Sequence, residues 1–422
     1  MTSAAEVASP RPPSPRSAST DGRVIGVIGS AHFTSHFFQM VIPPLFPVMK
    51  EAFGVGYTEL GLLMTVFYAV SGIGQPIAGF VVDRVGARGV LVGGIALLGL
   101  SMILVALAPH YWIVLALMVP AGIGNCVFHP ADYSILSASV SPGRMGRAFS
   151  VHAFGGTMGW ALAPVVMLSL SAVGGWRAAL VVVGVAAFAV ALLVRMQHSI
   201  LREDHAGAGA AHGHAPAAPA AGGVTWQLLL SLPILMCFAY FLFLAVAGIA
   251  LQNFLAPTLE VLHGTPIAVG AAALTTYLFG SACGIILGGF AADRVQRHEV
   301  LVAIGLFSGA ALILLVGQVA FPPLALNVVL CIAGFMSGTA TAARDMLVRN
   351  ATPKGATGKV FGFVYSGLDL GSTIAPGLAG FLIDHHNPAA VLWLVAAGQV
   401  LAVSTAFGLR RRRRVAAPQP AE

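Results

Sequence analysis

Long apolar runs without a charged residue are the feature that most constrains this chain. Residues 89–107 and 300–319 each hold about twenty such positions, enough for a helix to cross ~30 Å of hydrocarbon. Charged residues make up 9% of the sequence, whereas soluble domains carry roughly a quarter. So little charge cannot cover a water-exposed surface, and the sequence therefore predicts a membrane protein with many spans.

Charged and turn-forming residues divide the apolar sequence into twelve predicted helices. The first six are predicted at 24–49, 58–82, 89–108, 112–136, 147–172 and 177–195. The second six are predicted at 228–255, 266–291, 299–320, 324–347, 359–382 and 388–409. We therefore expect an all-α membrane protein made of two six-helix bundles.

Five segments follow from this division. We expect a disordered cytoplasmic tail (1–23), an N-terminal bundle (24–196), a cytoplasmic linker (197–225), a C-terminal bundle (226–409) and a basic cytoplasmic tail (410–422). The N-terminal tail lacks the apolar stretch of a cleavable signal peptide.

The linker is rich in Ala, Gly and His, and its His212 and His214 could bind a metal. The alternative, a solvated low-complexity linker, is the interpretation adopted. No metal site and no cofactor are predicted.

The basic residues set the predicted orientation. The formal charge is +7, yet the Lys and Arg residues sit in alternate loops, which is typical of membrane topology rather than of a nucleic-acid surface. Placing both termini in the cytoplasm leaves only Lys50 and Arg177 outside. We predict a multi-pass protein of the bacterial inner membrane, monomeric, in contact with the lipid bilayer and with no nucleic-acid partner.

An internal repeat relates the two bundles. Residues 79–84 read GFVVDR and residues 289–294 read GFAADR. Further matched pairs are Pro47 with Pro257, Gly54 with Gly264, Gly74 with Gly284, Gly159 with Gly371 and Pro164 with Pro376. Repeats of six spans insert the same way up, as in transporters whose halves rock about a central site. A channel, which needs a rigid pore, fits this pattern less well.

The repeated hexapeptide resembles the signature of the major facilitator superfamily, G-x-x-x-D-R-x-G-x-R/K. The first copy supplies Gly79, Asp83, Arg84, Gly86 and Arg88, and the second keeps Gly289, Asp293 and Arg294 but has Gln296 in place of the second Gly. The resemblance implies a conformational latch, in which the aspartate accepts hydrogen bonds from a helix N-terminus when the cytoplasmic end is closed. Plain positive-inside topology is the alternative; it explains the arginines but not the aspartates.

Residues 122–133 and 143–164 resemble the fosmidomycin-resistance branch of drug/proton antiporters. The resemblance implies drug efflux coupled to proton entry, although the arginine that many drug antiporters carry in helix 4 is absent. Gly155, Gly159 and Ala163 form a smooth stripe before Pro164 that permits close helix packing. Gly371 and Pro376 are the corresponding packing positions of the second half.

Asp369 is the strongest candidate for proton coupling. It lies within predicted helix 11, where an ionisable side chain costs ~3 kcal/mol to insert. A carboxyl group held away from water can take up and release a proton near neutral pH. A structural, hydrogen-bonded Asp is the alternative.

His32 and His36 lie one turn apart on helix 1, with Gln39 on the same side. We predict that these three residues face a substrate cavity and that His36 also relays protons. A hydrogen bond between helices is the alternative role for a membrane histidine.

His129 and Asp132 are three residues apart on helix 4 and can contact each other, with Pro130 loosening the backbone. We predict a gate or proton relay here. His152 on helix 5 is a further cavity candidate, with a structural hydrogen bond as the alternative.

The sequence contains no nucleophile elbow, no phosphate-binding loop and no zinc-ligand spacing, so we predict that the protein is not an enzyme and that a gradient drives its transport. The favoured function is proton-coupled efflux of a small drug-like or anionic compound by alternating access. Proton-coupled uptake of an organic acid or related metabolite is the alternative, and a membrane sensor without transport is the alternative of another class.

Overall fold

The computed structural model describes residues 18–141, 144–201, 230–295, 297–351 and 357–416, and within them it is helical with no strand. The first half contains α1 (Ala18–Gln39), α2 (Phe46–Phe53), α3 (Tyr57–Val85), α4 (Ala87–Leu107), α5 (Tyr111–Cys126), α6 (Phe128–Ser139) and α7 (Met145–Met196). The second half contains α8 (Leu232–His263), α9 (Ile267–Arg294), α10 (His298–Gln318), α11 (Pro323–Ala351), α12 (Thr357–Asp384) and α13 (Ala389–Ala416).

Ten helical segments of the described chain are long and apolar enough to cross a membrane, with α5 and α6 together forming one of them. The longest, α7, holds two spans, because the backbone at Gly175 has φ 79° and ψ 163° inside it. The more polar α1 is not among these ten and is the remaining helix of the predicted twelve. The predicted all-α fold with twelve transmembrane helices is confirmed.

Two predicted helices are interrupted by proline. The first was expected to continue to residue 49, but α1 ends at Gln39, and a short 3₁₀ turn at Pro43–Leu45 precedes α2. Pro43 and Pro44 cannot donate backbone hydrogen bonds, and their rings collide with the preceding turn of a helix. Pro130 likewise cannot bond the carbonyl of Cys126, so predicted helix 4 is divided into α5 and α6.

The predicted tails are partly helical. Residues 18–23 belong to α1, and residues 410–416 continue α13, so both helices extend past their predicted limits. Residues 1–17, 202–229 and 417–422, which include most of the predicted linker and the rest of both tails, lie outside the described residues.

The internal repeat reappears as matched backbone conformations. Gly54 caps α2 with φ 64° and Gly264 caps α8 with φ 65°, and each donates its N–H to a carbonyl of its own helix at 2.9 Å. Left-handed backbone at a helix end favours glycine, because a Cβ would be strained there. The pairing of these two glycines in sequence therefore reflects the same turn in both halves.

The two halves pack together at the end of the molecule that carries Tyr57 and Asp384, called here the closed end. A Cβ on Gly61 of α3 would overlap the carbonyl of Pro376 on α12, and one on Gly380 would overlap that of Tyr57. Phe46 also packs on Phe254 with ring centroids 5.3 Å apart. Toward the opposite end of α3, a Cβ on Gly79 would meet nothing within 4 Å. The α3–α12 seam is thus tight at the closed end, and this close packing does not reach Gly79.

Candidate functional site

Small residues bring α7 against α1 where the polar residues of both helices lie. A Cβ on Gly155 would stand 2.9 Å from the carbonyl oxygen of Gly29, and one on Gly159 would overlap that of Phe33. At Gly156 a Cβ would stand 2.7 Å from Nδ1 of His36. The glycine stripe therefore permits close helix packing and leaves room for imidazole rings between α1 and α7.

Asp132 of α6 is the centre of this region and is fully buried. Its Oδ2 lies 3.2 Å from Nδ1 of His32 on α1 and 3.1 Å from Nε2 of His152 on α7. Both histidines are buried. Because an ionised carboxylate is costly away from water unless it is hydrogen-bonded, the two imidazoles and Asp132 stabilise one another across three helices.

Two further histidines complete what we call the histidine cluster: His32, His36, His129 and His152 around Asp132. The ring centroid of His32 lies 3.5 Å from that of His152, 4.4 Å from that of His36 and 5.1 Å from that of His129. His36 and His129 are only partly buried. They form the accessible side of the cluster.

Aromatic and amide side chains extend the cluster. The Trp160 indole stacks on His36 at 4.2 Å and donates its Nε1–H to Oε1 of Gln39 at 3.0 Å. Tyr133 stacks on His129 with centroids 5.9 Å apart. The structure thus brings together all of the histidine, glutamine and α6 aspartate candidates that the sequence proposed separately. Their assignment to proton relay or substrate binding stays a prediction.

A second polar chain, missed in the sequence, lies among α1, α5 and α3. Ser35 donates its hydroxyl to Oδ1 of Asn125 at 2.9 Å, and Asn125 donates its amide to Ser71 at 2.8 Å. Asn125 is buried inside an otherwise apolar run, and that isolation was the available signal.

Asp369 lies in the second half, on α12, and is partly buried. It packs on α3, since a Cβ on Gly72 would stand 3.0 Å from the Asp369 Cβ. Among the described residues, none of the ion pairs involves this carboxylate. Asp369 therefore sits on the seam between the halves, without a basic partner in the described part of the chain.

The other packing candidates lie at helix contacts. A Cβ on Gly371 would stand 2.5 Å from the carbonyl oxygen of Leu242 on α8. The Pro376 carbonyl faces Gly61, as described above, and Pro164 lies inside α7.

The latch residues lie at the end of α3 away from the closed end. Asp83 and Arg84 are exposed, and Gly86 has φ 99° in the turn to α4. Arg88 donates its Nη1 to the carbonyl of His198 at 2.7 Å. The predicted latch contact of Asp83 with a helix N-terminus is not among the contacts of the described residues. The surroundings of Gly289 and the side chains of Asp293 and Arg294 lie outside those described.

Asp384, which sequence reasoning did not single out, joins the halves at the closed end. It ends α12 and caps the N-terminus of α3: its carboxylate accepts the N–H of Tyr57 at 2.9 Å and both the N–H and hydroxyl of Thr58 at 2.6 Å. Anions are stabilised at helix N-termini, where unpaired N–H groups and the helix dipole coincide. This carboxylate is therefore a polar clamp across the seam.

Known proteins resemble this chain over most of its length. The fosmidomycin resistance protein of Escherichia coli is 24% identical over 400 residues, which cover 92% of this chain and 93% of that protein. A probable sulfoacetate transporter, SauU of Cupriavidus necator, is 24% identical over 377 residues, covering 86% and 87%. The membrane sensor protein UhpC of Escherichia coli is 24% identical over 394 residues, covering 87% and 86%.

A solved structure shares the fold: an inward-facing, occupied bacterial homologue of the human lysosomal transporter Spinster, with a TM-score of 0.71 and 17% identity, over 96% of this chain and 100% of that one. The family model of the Major Facilitator Superfamily matches residues 28–271 and 236–422. Its members are transporters rather than enzymes. The repeat, the paired bundles and this match together establish that the chain belongs to the major facilitator superfamily and is a multi-pass membrane transporter of small molecules.

Proposed function

We propose that this chain is a proton-coupled secondary transporter that exports a small drug-like or anionic compound by alternating access. The observation that carries the proposal is the position of Asp369. It is an ionisable side chain in a membrane span, on the seam where the two halves must separate and meet again. Ionisable residues within spans are costly and therefore functional candidates by default.

The packing along the α3–α12 seam supports a coupling between proton exchange at Asp369 and the rocking of the two halves. Contacts between α3 and α12 run from Tyr57, beside Gly380, to Gly72, beside Asp369. A rocking motion that opens the closed end changes the packing around Asp369. A carboxylate that is wetted in one state and packed in the other exchanges a proton with each change of state. Proton movement and rocking are then one process.

The histidine cluster is the proposed cargo surface. His36, His129, Trp160 and Tyr133 present imidazole, indole and phenol groups, which suit an amphipathic or anionic compound because they combine apolar faces with hydrogen-bond donors. Similarity to the fosmidomycin resistance protein favours export. Similarity to a probable sulfoacetate transporter keeps uptake of an organic acid as the second candidate.

The proposed location is the bacterial inner membrane, with both termini in the cytoplasm and one chain as the transporting unit. The basic residues support this orientation through the positive-inside rule. The closed end, which carries Lys50 and Arg177, then faces the outside, and the signature motif faces the cytoplasm.

The test begins with a ligand panel of fosmidomycin, other phosphonates, aromatic acids and lipophilic cations, scored by thermal shift of the purified protein. Flux of the compounds that bind is then measured in proteoliposomes, with the proton gradient imposed in either direction. We expect Asp369→Asn to abolish gradient-driven flux and to retain downhill exchange, whereas Glu51→Gln, at an exposed carboxylate, changes neither.

Equal gradient dependence in Asp369→Asn and the unsubstituted protein would contradict proton coupling at this residue. If the compound accumulates in the same direction as proton entry, uptake would replace export as the proposed direction of transport. Binding without flux for every compound would favour a sensor, a role carried by one relative of similar identity.

A further inference from the structure

The histidine cluster has the composition of a metal site. His32, His129 and His152 come from α1, α6 and α7, and one ligand nitrogen from each can be chosen so that all three lie within 4.8 Å of one another. Imidazole is a common ligand of first-row divalent metals, and three protein nitrogens with one open position are typical of zinc sites that bind a further ligand.

Asp132 provides the outer support that metal-bound histidines usually have. A neutral imidazole carries one N–H and one lone pair. Where His32 donates Nδ1–H and His152 donates Nε2–H to Oδ2 of Asp132, at 3.2 and 3.1 Å, the lone pairs remain on His32 Nε2 and His152 Nδ1. A carboxylate that orients ligand imidazoles in this way raises their basicity and fixes their rings.

A tetrahedral site requires the three ligand nitrogens to move closer together. Zinc–nitrogen bonds of about 2.0–2.1 Å place ligand nitrogens about 3.4 Å apart, so the 4.8 Å spread must contract. His32 and His152 are buried and held by Asp132, whereas His129 is only partly buried. His129 follows the α5–α6 break and precedes Pro130, where the helix lacks a backbone bond. His129 is therefore the ligand that can close the site.

A purely structural network accounts for less of this arrangement. Four imidazoles gather around Asp132, and two of them, those of His36 and His129, are only partly buried. We propose that His32, His129 and His152 bind a divalent transition-metal ion of the zinc class, with Asp132 as the positioning residue and the fourth coordination position open. This site is independent of proton coupling at Asp369.

Zinc and cobalt binding test the proposal on the full-length protein, purified without a histidine tag. The linker residues His198, His205, His212 and His214 are replaced by Ala in every sample, so that the linker cannot supply histidine ligands. We expect one Zn²⁺ per chain by calorimetry, and for Co²⁺ the intense visible absorption of a tetrahedral nitrogen site.

Asp132→Asn should weaken Zn²⁺ binding by about 10- to 100-fold, as for other supporting carboxylates, and His129→Ala should weaken it further. His385→Ala, at an exposed histidine of the closed end, should leave it unchanged. Size-exclusion profiles and metal-free thermal unfolding identify any variant that fails to fold, and His129→Gln then replaces His129→Ala.

Any of three results would refute the proposed metal site. The first is no stoichiometric Zn²⁺ binding once the linker histidines are replaced, and the second is an octahedral Co²⁺ spectrum. The third is equal Zn²⁺ affinity in the His129 variant and the His385 control. The test measures metal binding and not transport, so its result does not depend on whether Asp369 couples transport to protons. Either proposal can therefore be refuted without the other.

Discussion

The two ends of α3 show opposite arrangements of a carboxylate. At its first residues, Asp384 of the other half accepts three hydrogen bonds from Tyr57 and Thr58. Near its last residues, Asp83 is exposed, with no hydrogen bond or ion pair in the described part of the chain. Among the described residues, α3 is therefore held to the other half by a carboxylate at its first residues and not at Asp83, so Asp384 is one of the contacts on which the closed end depends.

The largest effect is expected where two backbones touch. Gly61→Ala places a Cβ against the backbone carbonyl of Pro376, which cannot rotate away as a side chain can. We expect a cost of roughly 1–3 kcal/mol to the closed end and a strong loss of transport. Gly93→Ala on α4, with nothing within 4 Å of its Cβ, is the control. Similar flux and similar thermal unfolding for both variants would show that close packing at Gly61 is not needed for transport.

A smaller effect is expected from the clamp itself. Asp384→Asn removes the negative charge of the acceptor, and hydrogen bonds to an ionised acceptor are stronger than those to a neutral one. We expect the closed state to lose about 2 kcal/mol, which shifts the equilibrium between closed and open states roughly thirtyfold toward open. Spin labels at the exposed positions Val173 and Val261, in a cysteine-free background, should report a longer distance between the halves. Glu51→Gln in the same labelled protein is the control, and an unchanged distance distribution in the Asp384 variant would refute the clamp.

The smallest effect on stability is expected at Asp83, near the other end of α3. Because Asp83 is exposed in this state, Asp83→Asn should change the free energy of unfolding by no more than about 0.5 kcal/mol. It should still lower the population in which that end is closed, which is measured as faster labelling of a cysteine placed at Val85. An unaltered labelling rate would contradict the latch and leave positive-inside topology as the interpretation of the motif's arginines.

Many features of the fold could be predicted because they depend on local chemistry. Runs such as residues 300–319 are apolar whatever their neighbours, and a segment of that length becomes a membrane helix. Gly54 and Gly264 matched in sequence because the same left-handed cap is needed at each. The end of α1 was placed too late, since the predicted helix was continued through Pro43 and Pro44.

Only part of the candidate site could be predicted in this way. His32, His36 and Gln39 share a face of one helix, so spacing alone grouped them. Their approach to His152 and Asp132 depends on how closely α7 packs on α1, which Gly156 and Gly159 decide. No spacing rule joins residues on separate spans.

The sequence by itself therefore determined the membrane class, the repeated halves and the family, because hydropathy and signature motifs act within single segments. The tertiary structure alone decided that Asp384 clamps α3, that Asp369 lies on the seam, and that imidazoles from three helices surround Asp132. Those contacts span from 20 to 327 positions along the chain, and interactions at such separation exist only once the helices have packed.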